Sequence, residues 1–489
     1  MLFNSYEFIF AFLPITFLIY FYLNSKRLTT ASKGFLVFAS LFFYSWWNIA
    51  YLPIILSSML FNYIIGNTLT KSEENKRVNK KQLLTLGIIG NIALLGYFKY
   101  TDFFIENFNL ATSSNVELLN LALPLAISFF TFQQIAYLVD SYRGETKEYD
   151  FLNYAVFVTF FPQLIAGPIV HHKEMMPQFA SKWNMVKNYR NIALGLFIFS
   201  IGLFKKVVIA DTFAVWATAG FDTATTLNLF EAWATSLSYT FQLYFDFSGY
   251  TDMAIGLALL FNIKLPINFN SPYKATDIQD FWRRWHITLS RFLRDYVYIP
   301  LGGNRKGEFR TYNNLLATFI IGGIWHGAGW TFVFWGFLHG VALMIHRAWG
   351  ILSKKLGFKL WTWLAWLITF NFVNIAWIFF RAKEWDDAIK VLSGMVGLSG
   401  IKIHTILQSK LSFLSSYGIE FGPYDTIHLP ALEVLWFIVA FILVLIFKNS
   451  MQIRDSFKLS YKSLLLATFC FLFGVLSLNK VSEFLYFNF

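Results

Sequence analysis

The sequence predicts an all-α, polytopic integral membrane protein. Of its 489 residues, 56% are hydrophobic and only 14% are charged, whereas a soluble domain carries about 25% charged residues. Phe, Trp and Tyr, which are counted among the hydrophobic residues, alone make up 20% of the chain. The apolar residues form continuous runs, such as 8–23 and 432–447, and lack the alternation of a membrane β-barrel. These observations exclude a soluble enzyme, a nucleic-acid-binding module and a disordered chain.

The apolar runs define the expected spans, because crossing the hydrocarbon layer takes about 20 residues. In chain order the candidates are 8–23, 34–48, 51–69, 82–98, 119–139, 192–209, 231–261, 314–330, 331–348, 360–380, 431–447 and 463–479. The run 160–169 holds two prolines and a glycine, which favours a re-entrant turn. The first run lacks the pattern of a cleaved signal peptide and is expected to stay. We expect about 11 transmembrane helices plus re-entrant and amphipathic helices, in a single domain over 1–489.

The basic residues predict the orientation. The net charge is +12, and the excess is concentrated in 26–33, 71–81, 173–190, 264–312, 354–359 and 448–462. The loop 381–430 has no net charge, because it carries equal numbers of basic and acidic residues. The positive-inside rule places the basic segments in the cytoplasm and the N-terminus, this loop and the C-terminus outside. Successive loops alternate between the two sides of the membrane only if 314–348 does not form two simple membrane-spanning helices.

Several kinds of chemistry find no support. A single cysteine, Cys470, excludes a disulfide framework. The chain has eight histidines but no HExxH, no Cys/His cluster and no phosphate-binding glycine loop. We therefore expect no metal site and no bound cofactor.

His326 is the strongest candidate for a functional residue. It lies in Gly322–Trp330 (GGIWHGAGW), within a long apolar stretch and next to Trp325. Glycines disfavour a helix and allow another backbone or a ligand to approach closely. An ionisable side chain in such a segment indicates a cavity wall, although a structural histidine bonded to a neighbouring carbonyl is the alternative.

Two further segments carry polar groups. In 280–296, five apolar residues share one helical face, which predicts one basic amphipathic helix at the lipid interface, with His286 at its margin. In 242–252, Asp246 and Asp252 flank Gly249, and they either bind a proton or cation or cap a helix break around this glycine. These carboxylates leave open an ion- or proton-coupled channel or transporter, although no inverted repeat supports it.

Six segments together resemble a known family. In chain order they are LPLAISFFTFQQIAYLVD, FFPQLIAGPI, QLYFDFSGYTDMAIG, NFNSPYKA, WRRWHITLSRFLRDYVYIPLGG and GGIWHGAGW. They resemble the membrane-bound O-acyltransferase (MBOAT) superfamily, in its bacterial branch for O-acetylation of alginate or peptidoglycan. The resemblance covers the whole chain, and proteins of teichoic-acid D-alanylation are more distantly similar.

The resemblance implies helices around a thin centre, where a cytoplasmic funnel meets an outward opening. It assigns His326 to the catalytic position and His286 to the second motif position. The implied reaction moves an acetyl group from a cytoplasmic thioester, acetyl-CoA, to an extracytoplasmic polysaccharide such as alginate or peptidoglycan. An acceptor that is a lipid or a protein is the alternative within the superfamily, and direct transfer and a covalent acyl-histidine both remain open.

The remaining expectations concern substrates, partners and location. We expect substrate contacts from Trp325 and from three arginines of the basic segment, Arg283, Arg284 and Arg291, which would attract an anionic donor. The resemblance implies a bacterial inner membrane, lipid contacts and a separate extracytoplasmic SGNH-type O-acetyltransferase as partner. In the C-terminal hexapeptide 484–489, Tyr486 is either an acyl relay or an interfacial anchor; the pattern departs from the relay motif because the last residue is Phe489.

Overall fold

The computed structural model describes residues 1–71, 79–146, 150–165 and 167–479, and regular structure in these residues is almost entirely helical. The first α-helices are α1 (Leu13–Ser25), α2 (Thr29–Ser45), α3 (Tyr51–Lys71), α4 (Lys80–Lys99), α5 (Thr101–Thr112), α6 (Ile127–Tyr142), α7 (Phe151–Thr159), α8 (Phe161–Leu164) and α9 (His172–Ala180). The central ones are α10 (Tyr189–Phe204), α11 (Asp211–Thr218), α12 (Leu229–Leu260), α13 (Ile278–Arg284), α14 (Ile287–Leu293), α15 (Glu308–His326), α16 (Trp330–Leu356) and α17 (Thr362–Arg381). The last are α18 (Trp385–Met395), α19 (Gln408–Leu411), α20 (Leu435–Leu445), α21 (Ser450–Asp455) and α22 (Tyr461–Leu476). Two short strands, β1 (Lys402–Ile403) and β2 (Glu420–Phe421), pair in parallel.

The helices confirm an all-α polytopic membrane protein. Within the described ranges, five helices are long and apolar enough to span a membrane: Phe8–Ser25, Tyr51–Lys71, Lys80–Lys99, Tyr189–Thr223 and Thr362–Arg381. Large apolar side chains such as Phe38 and Ile64 are exposed on the outside of the bundle, as expected of surfaces that face lipid. The count of about 11 spans stays a prediction.

The expected span 119–139 is wrong in its first part, because α6 begins only at Ile127. The carboxylate of Asp102 accepts hydrogen bonds from the backbone N–H groups of Leu119 and Asn120, at 2.7 and 2.9 Å. These contacts satisfy the amides of 119–120 without a helix.

The interrupted backbone predicted for 160–169 is present. Helix α7 ends at Thr159, the one-turn α8 follows, and the described residues between α8 and α9 are buried and non-helical. The hydroxyls of Ser40 and Thr288 accept hydrogen bonds from the N–H groups of Phe161 and Ile169, at 3.2 and 3.0 Å. Side chains of neighbouring segments thus satisfy backbone groups that a helix would have satisfied itself.

The helix break considered at Gly249 is absent, since α12 runs through this position without interruption. A Cβ atom on Gly249 would lie 2.8 Å from the carbonyl oxygen of Gly202 in α10. The glycine therefore allows the backbones of two membrane helices to approach closely. Almost all of α12 is buried, and the helix forms the centre of the bundle.

The single amphipathic helix predicted for 280–296 is also wrong, because the chain breaks between α13 and α14 at Trp285 and His286. The segment 314–348 lies in two continuous helices, and whether these are plain membrane crossings stays a prediction. It forms α15 and α16, joined by 327–329. A Cβ atom on Gly323 would lie 2.3 Å from the carbonyl oxygen of Phe332, so these two helices pack with their backbones in near contact.

Candidate active site

His326 is the last residue of α15 and lies in an aromatic enclosure. Its ring centroid is 4.7 Å from that of Trp325, 5.2 Å from that of Trp335 and 5.0 Å from that of Phe380. Only 6% of His326 is exposed. The chain leaves the helix at Gly327 in an extended conformation, so the imidazole lies at a helix end inside the protein. The aromatic rings keep bulk water away from a group that can exchange a proton.

His286 lies at the break between α13 and α14, in the left-handed region with φ +42°. A residue with a β-carbon enters this region only when its surroundings impose it. Here Asn268 imposes it: its carbonyl oxygen accepts a hydrogen bond from the N–H of Ile287 at 3.0 Å, and its Oδ1 accepts two from Thr288, at 3.1 and 3.0 Å. His286 is fully enclosed, and its ring packs against Phe247 at 4.7 Å.

The same asparagine determines the tautomer of His286. Nδ1 of His286 lies 3.1 Å from Oδ1 of Asn268, the atom that accepts the N–H of Thr288 and is therefore an oxygen. A neutral imidazole must then donate from Nδ1, which leaves a lone pair on Nε2. Among the described residues, Nε2 has no hydrogen-bond partner. His286 consequently offers an acceptor to whatever occupies the site.

The two histidines share Trp325 as a neighbour. The ring centroid of Trp325 lies 6.3 Å from that of His286, and His286 is near enough to His326 to interact with it electrostatically. The structure thus brings together three residues that the sequence predicted as site residues, His326, His286 and Trp325. Their roles in substrate binding and catalysis stay predictions.

Lys99 at the end of α4 belongs to the site and was missed by the sequence reasoning. Its ammonium donates hydrogen bonds to the carbonyl oxygens of Trp325 and His326, at 2.6 and 3.0 Å, and to the hydroxyl of Ser128 at 3.3 Å. The next residue, Tyr100, donates its hydroxyl to the carbonyl oxygen of Ile324 at 2.7 Å. The last carbonyls of a helix have no partner within it and attract cations, so Lys99 and Tyr100 cap the end of α15 that presents His326.

His339 is a third buried histidine near His326, and it was likewise not singled out from the sequence. The indole N–H of Trp282 donates to its Nδ1 at 3.2 Å, and its ring packs at 4.8 Å from that of Trp335. This hydrogen bond joins α13 to α16. His339 therefore stabilises the aromatic enclosure of His326 by packing against Trp335.

Two cavities flank the site. The first, here called the Lys99 cavity, has a volume of about 300 Å³ and reaches Gly327, Ala328 and Asp102. The second, the Arg291 cavity, has a volume of about 320 Å³, and its lining holds equal numbers of basic and acidic residues: Arg143, Lys173, Arg291, Asp140, Glu174 and Asp295.

A continuous series of rings leads from the Arg291 cavity to Trp325, and we call it the Phe132 stack. Tyr296, which lines the Arg291 cavity, packs on Phe292 with centroids 4.8 Å apart. Phe292 and Phe132 are parallel at 4.0 Å, and Phe132 lies on Trp325 at 5.0 Å. The stack therefore leads from one cavity to the ring beside His326.

The three predicted arginines differ in their surroundings. Arg284 pairs with Asp280 at 2.8 Å, and Arg291 binds Glu174 with both terminal nitrogens, at 2.7 and 3.1 Å. Arg283 is exposed and has no ion pair among the described residues. Only Arg291 reaches a cavity next to the site. Tyr486 lies outside the described residues, and its role as relay or anchor stays a prediction.

The aspartates that suggested a transporter are paired with lysines. Lys206 lies 2.6 Å from Asp246 and 2.7 Å from Asp211, and Lys205 lies 2.8 Å from Asp252. These contacts connect α12 to the π-helical turn Lys205–Ala210, which follows α10. Buried ion pairs of this kind fix the register of two helices.

The fold and the site define a class, a polytopic membrane protein with buried histidines between two cavities. The sequence pattern of the membrane-bound O-acyltransferase family matches residues 78–383. The chain is 53% identical to a peptidoglycan O-acetyltransferase of Helicobacter pylori, over 100% of this chain and 98% of that protein. It is 40% identical to the probable alginate O-acetylase AlgI of Pseudomonas aeruginosa, over 86% and 82%, and 28% identical to a teichoic acid D-alanyltransferase of Bacillus subtilis, over 54% and 70%.

This chain belongs to the membrane-bound O-acyltransferase family. It is an acyltransferase, as the sequence predicted, and the channel or transporter alternative is set aside. The family motif spans α4 to the end of α17, and so contains both histidines, Lys99 and the Phe132 stack.

Proposed function

We propose that this protein transfers acetyl groups from acetyl-CoA in the cytoplasm toward an extracytoplasmic glycan, across a bacterial inner membrane. The observation that carries the proposal is the meeting of His326 and His286 at Trp325, between two cavities. Peptidoglycan is the preferred acceptor, because similarity to the peptidoglycan O-acetyltransferase is higher and covers both chains almost completely. Alginate is the second candidate.

The reaction needs no cofactor, because the carbonyl group of a thioester is already activated. His326 acts as a general base and takes the proton of the acceptor hydroxyl. The hydroxyl oxygen forms a bond to the acetyl carbon, and the carbon–sulfur bond breaks. The leaving thiolate takes the proton back from the imidazolium, so that an ester and a free thiol result. The enclosure of rings around His326 excludes water, which would otherwise hydrolyse the thioester.

Two roles are open to His286: it hydrogen-bonds the thioester carbonyl, or it orients a substrate. Its tautomer supports the second role. With Nδ1–H donated to Asn268, neutral His286 has no second N–H for the thioester carbonyl. Its Nε2 lone pair accepts a hydrogen bond instead. His286 therefore positions the substrate through a donor other than the reacting hydroxyl, whose single proton goes to His326.

Two tryptophans supply the donors for the negative charge that develops on the carbonyl oxygen. The indole N–H groups of Trp325 and Trp335 are buried and have no hydrogen-bond partner among the described residues. A buried donor without a partner costs about 1–3 kcal/mol. A substrate oxygen that accepts these hydrogen bonds recovers this free energy in the complex.

The charge distribution supports the direction of transfer. With the basic segments in the cytoplasm, the Arg291 cavity faces the donor and the Lys99 cavity faces outward. Of the three arginines, Arg283 has no carboxylate partner among the described residues and attracts a phosphate-bearing thioester, whereas Arg284 and Arg291 have to exchange Asp280 and Glu174 for its phosphates. Both termini then lie outside. An SGNH-type partner passes the acetyl group from the ester formed at His326 to a glycan hydroxyl in a second acyl exchange, which releases the first acceptor hydroxyl.

The test is genetic complementation. In a strain that lacks the gene, the wild-type chain should restore acetyl esters on peptidoglycan, and His326→Ala should not, at equal membrane protein level. General-base loss lowers rates about 10²- to 10⁴-fold, which brings the ester content to background. Normal peptidoglycan acetylation by His326→Ala would refute the assignment of His326. Restoration of esters on another polymer alone would replace the proposed acceptor.

A further inference from the structure

A larger cavity lies away from the two histidines, and we call it the Arg190 cavity. It has a volume of about 660 Å³ and lies between the start of α10, the end of α12 and α21. Its mouth carries three cations, Arg190, Lys264 and Arg454. Its floor is apolar and is formed by Leu194, Ile255, Leu259, Leu265, Pro266 and Ile267. The cavity is thus amphipathic, with charge at the rim and hydrocarbon below.

Side-chain amides hold the walls of this cavity in place. Asn191 donates its Nδ2 to Oδ1 of Asn262 at 3.0 Å, and Asn262 donates to the carbonyl oxygens of Asn184 and Val186, at 3.1 and 2.8 Å. Gln178 pairs with both the N–H and the carbonyl of Lys264, at 2.8 and 3.1 Å. These bonds join the segment before α10 to the segment after α12. The shape is therefore set before a ligand binds, which reduces the entropic cost of binding.

The mouth has an excess of positive charge. Arg454 pairs with Asp455 at 2.8 Å. Neither Arg190 nor Lys264 has a carboxylate within ion-pair distance in the part of the chain that the structure describes. Three cations and one carboxylate leave two positive charges. A phosphate group neutralises the excess positive charge. A hydrocarbon chain on the same molecule covers the apolar floor and removes it from water.

We propose that the Arg190 cavity binds an anionic phospholipid, with its phosphate at Arg190 and Lys264 and the start of an acyl chain on the apolar floor. Basic pockets at the membrane surface recognise such headgroups. A small soluble anion would leave the floor uncovered, so the lipid is the occupant that uses both halves of the cavity.

The cavity is joined to the active site through five residues of backbone. Lys264, Leu265, Pro266 and Ile267 line the cavity, and the next residue is Asn268, which holds His286 and Thr288. A bound lipid immobilises this segment and, with it, the orientation of His286. Lipid occupancy should therefore raise the acyl-transfer rate, a consequence that rests on the proposed function, whereas the binding itself does not.

The test compares two double variants of the full chain in detergent and in vesicles. Arg190→Gln with Lys264→Gln removes the excess charge at the cavity. Lys354→Gln with Lys355→Gln removes two equally exposed lysines at the end of α16 and is the matched control. Phosphatidylglycerol retained after delipidation is measured by native mass spectrometry. We expect affinity about 30-fold weaker in the first variant, from about 1 kcal/mol for each basic residue, and no change in the control.

Further outcomes decide the proposal and its link to the active site. Arg190→Lys with Lys264→Arg keeps the charge and should retain the lipid, which guards against a general loss of structure. Equal retention by both glutamine variants would overturn the proposal. Displacement of phosphatidylglycerol by equimolar glycerol phosphate, which lacks acyl chains, would replace the lipid by a soluble phosphate. In wild type, phosphatidylglycerol added to phosphatidylcholine vesicles should raise activity, and failure of this effect with binding intact would refute only the link to His286.

Discussion

Replacing Lys99 by methionine tests the view that the end of α15 must be held for catalysis. The substitution keeps a similar length and removes the ammonium that donates to the carbonyls of Trp325 and His326. Hydrogen bonds from charged donors contribute about 1.5–3 kcal/mol each, and burying an ammonium costs several kcal/mol. Losing the hydrogen bonds lowers the stability, whereas removing the buried charge raises it. We therefore expect the free energy of unfolding to fall by only about 1–3 kcal/mol.

The effect on catalysis should be larger than the effect on stability. Without Lys99, the carbonyl of His326 loses its partner and the turn at 327–329 is less constrained. A displacement of about 1 Å at a reacting group costs about 10²-fold in rate. We therefore expect Lys99→Met to lower kcat about 100-fold, while the KM for the donor changes less than about threefold, because the Arg291 cavity is untouched. The assay is release of thiol from acetyl-CoA by the purified chain with its acceptor.

Tyr100→Phe is the matched control for this prediction. It removes one neutral hydrogen bond, to the carbonyl of Ile324, at the same helix end, and should lower kcat no more than about fivefold, in line with the loss of about 1 kcal/mol. Lys99→Arg keeps the charge and should recover part of the activity. Wild-type kcat in a folded Lys99→Met protein, or equal losses in Lys99→Met and Tyr100→Phe, would refute a specific role for the ammonium.

The remaining predictions use the same assay. His286→Asn should keep more activity than His286→Ala, because the amide oxygen still accepts a hydrogen bond; equal loss in both would indicate that the imidazole itself transfers a proton. Trp335→Phe keeps an aromatic ring and removes the indole N–H, and it should lower kcat about 10²-fold; unchanged kcat would exclude this N–H as a donor to the carbonyl oxygen. Neutralising the three arginines of 283–291 together should raise the KM for the donor and weaken its salt dependence, whereas an unchanged KM would leave these residues with an anchoring role only.

The parts of the site that depend on local pattern could be predicted from the sequence. His326 stood out because one ionisable residue in a glycine-rich apolar segment is a strong local signal. The interruption at 160–169 followed from its prolines in the same way. His286 was found through the motif, but its left-handed conformation was not, because the cause is Asn268, eighteen residues earlier in the chain.

The parts that depend on tertiary contacts could not be predicted. Lys99 looked like an ordinary basic residue at the end of a span, and its partner His326 lies 227 residues away. At Gly249 the local signal was misleading. Glycine has a low helix propensity, but here it lies within a continuous helix and allows α12 to contact α10. Propensity describes a residue in isolation, and membrane helices are selected for how their surfaces fit together.

The Phe132 stack lies on the route that the proposed transfer takes from the Arg291 cavity to Trp325. Phe132 and Phe292 are parallel with centroids 4.0 Å apart, a separation at which two rings are already in contact. No chain of atoms passes between the two rings in this arrangement. A thioester that enters from the Arg291 cavity, as proposed, therefore has to displace these rings or pass beside them to reach Trp325.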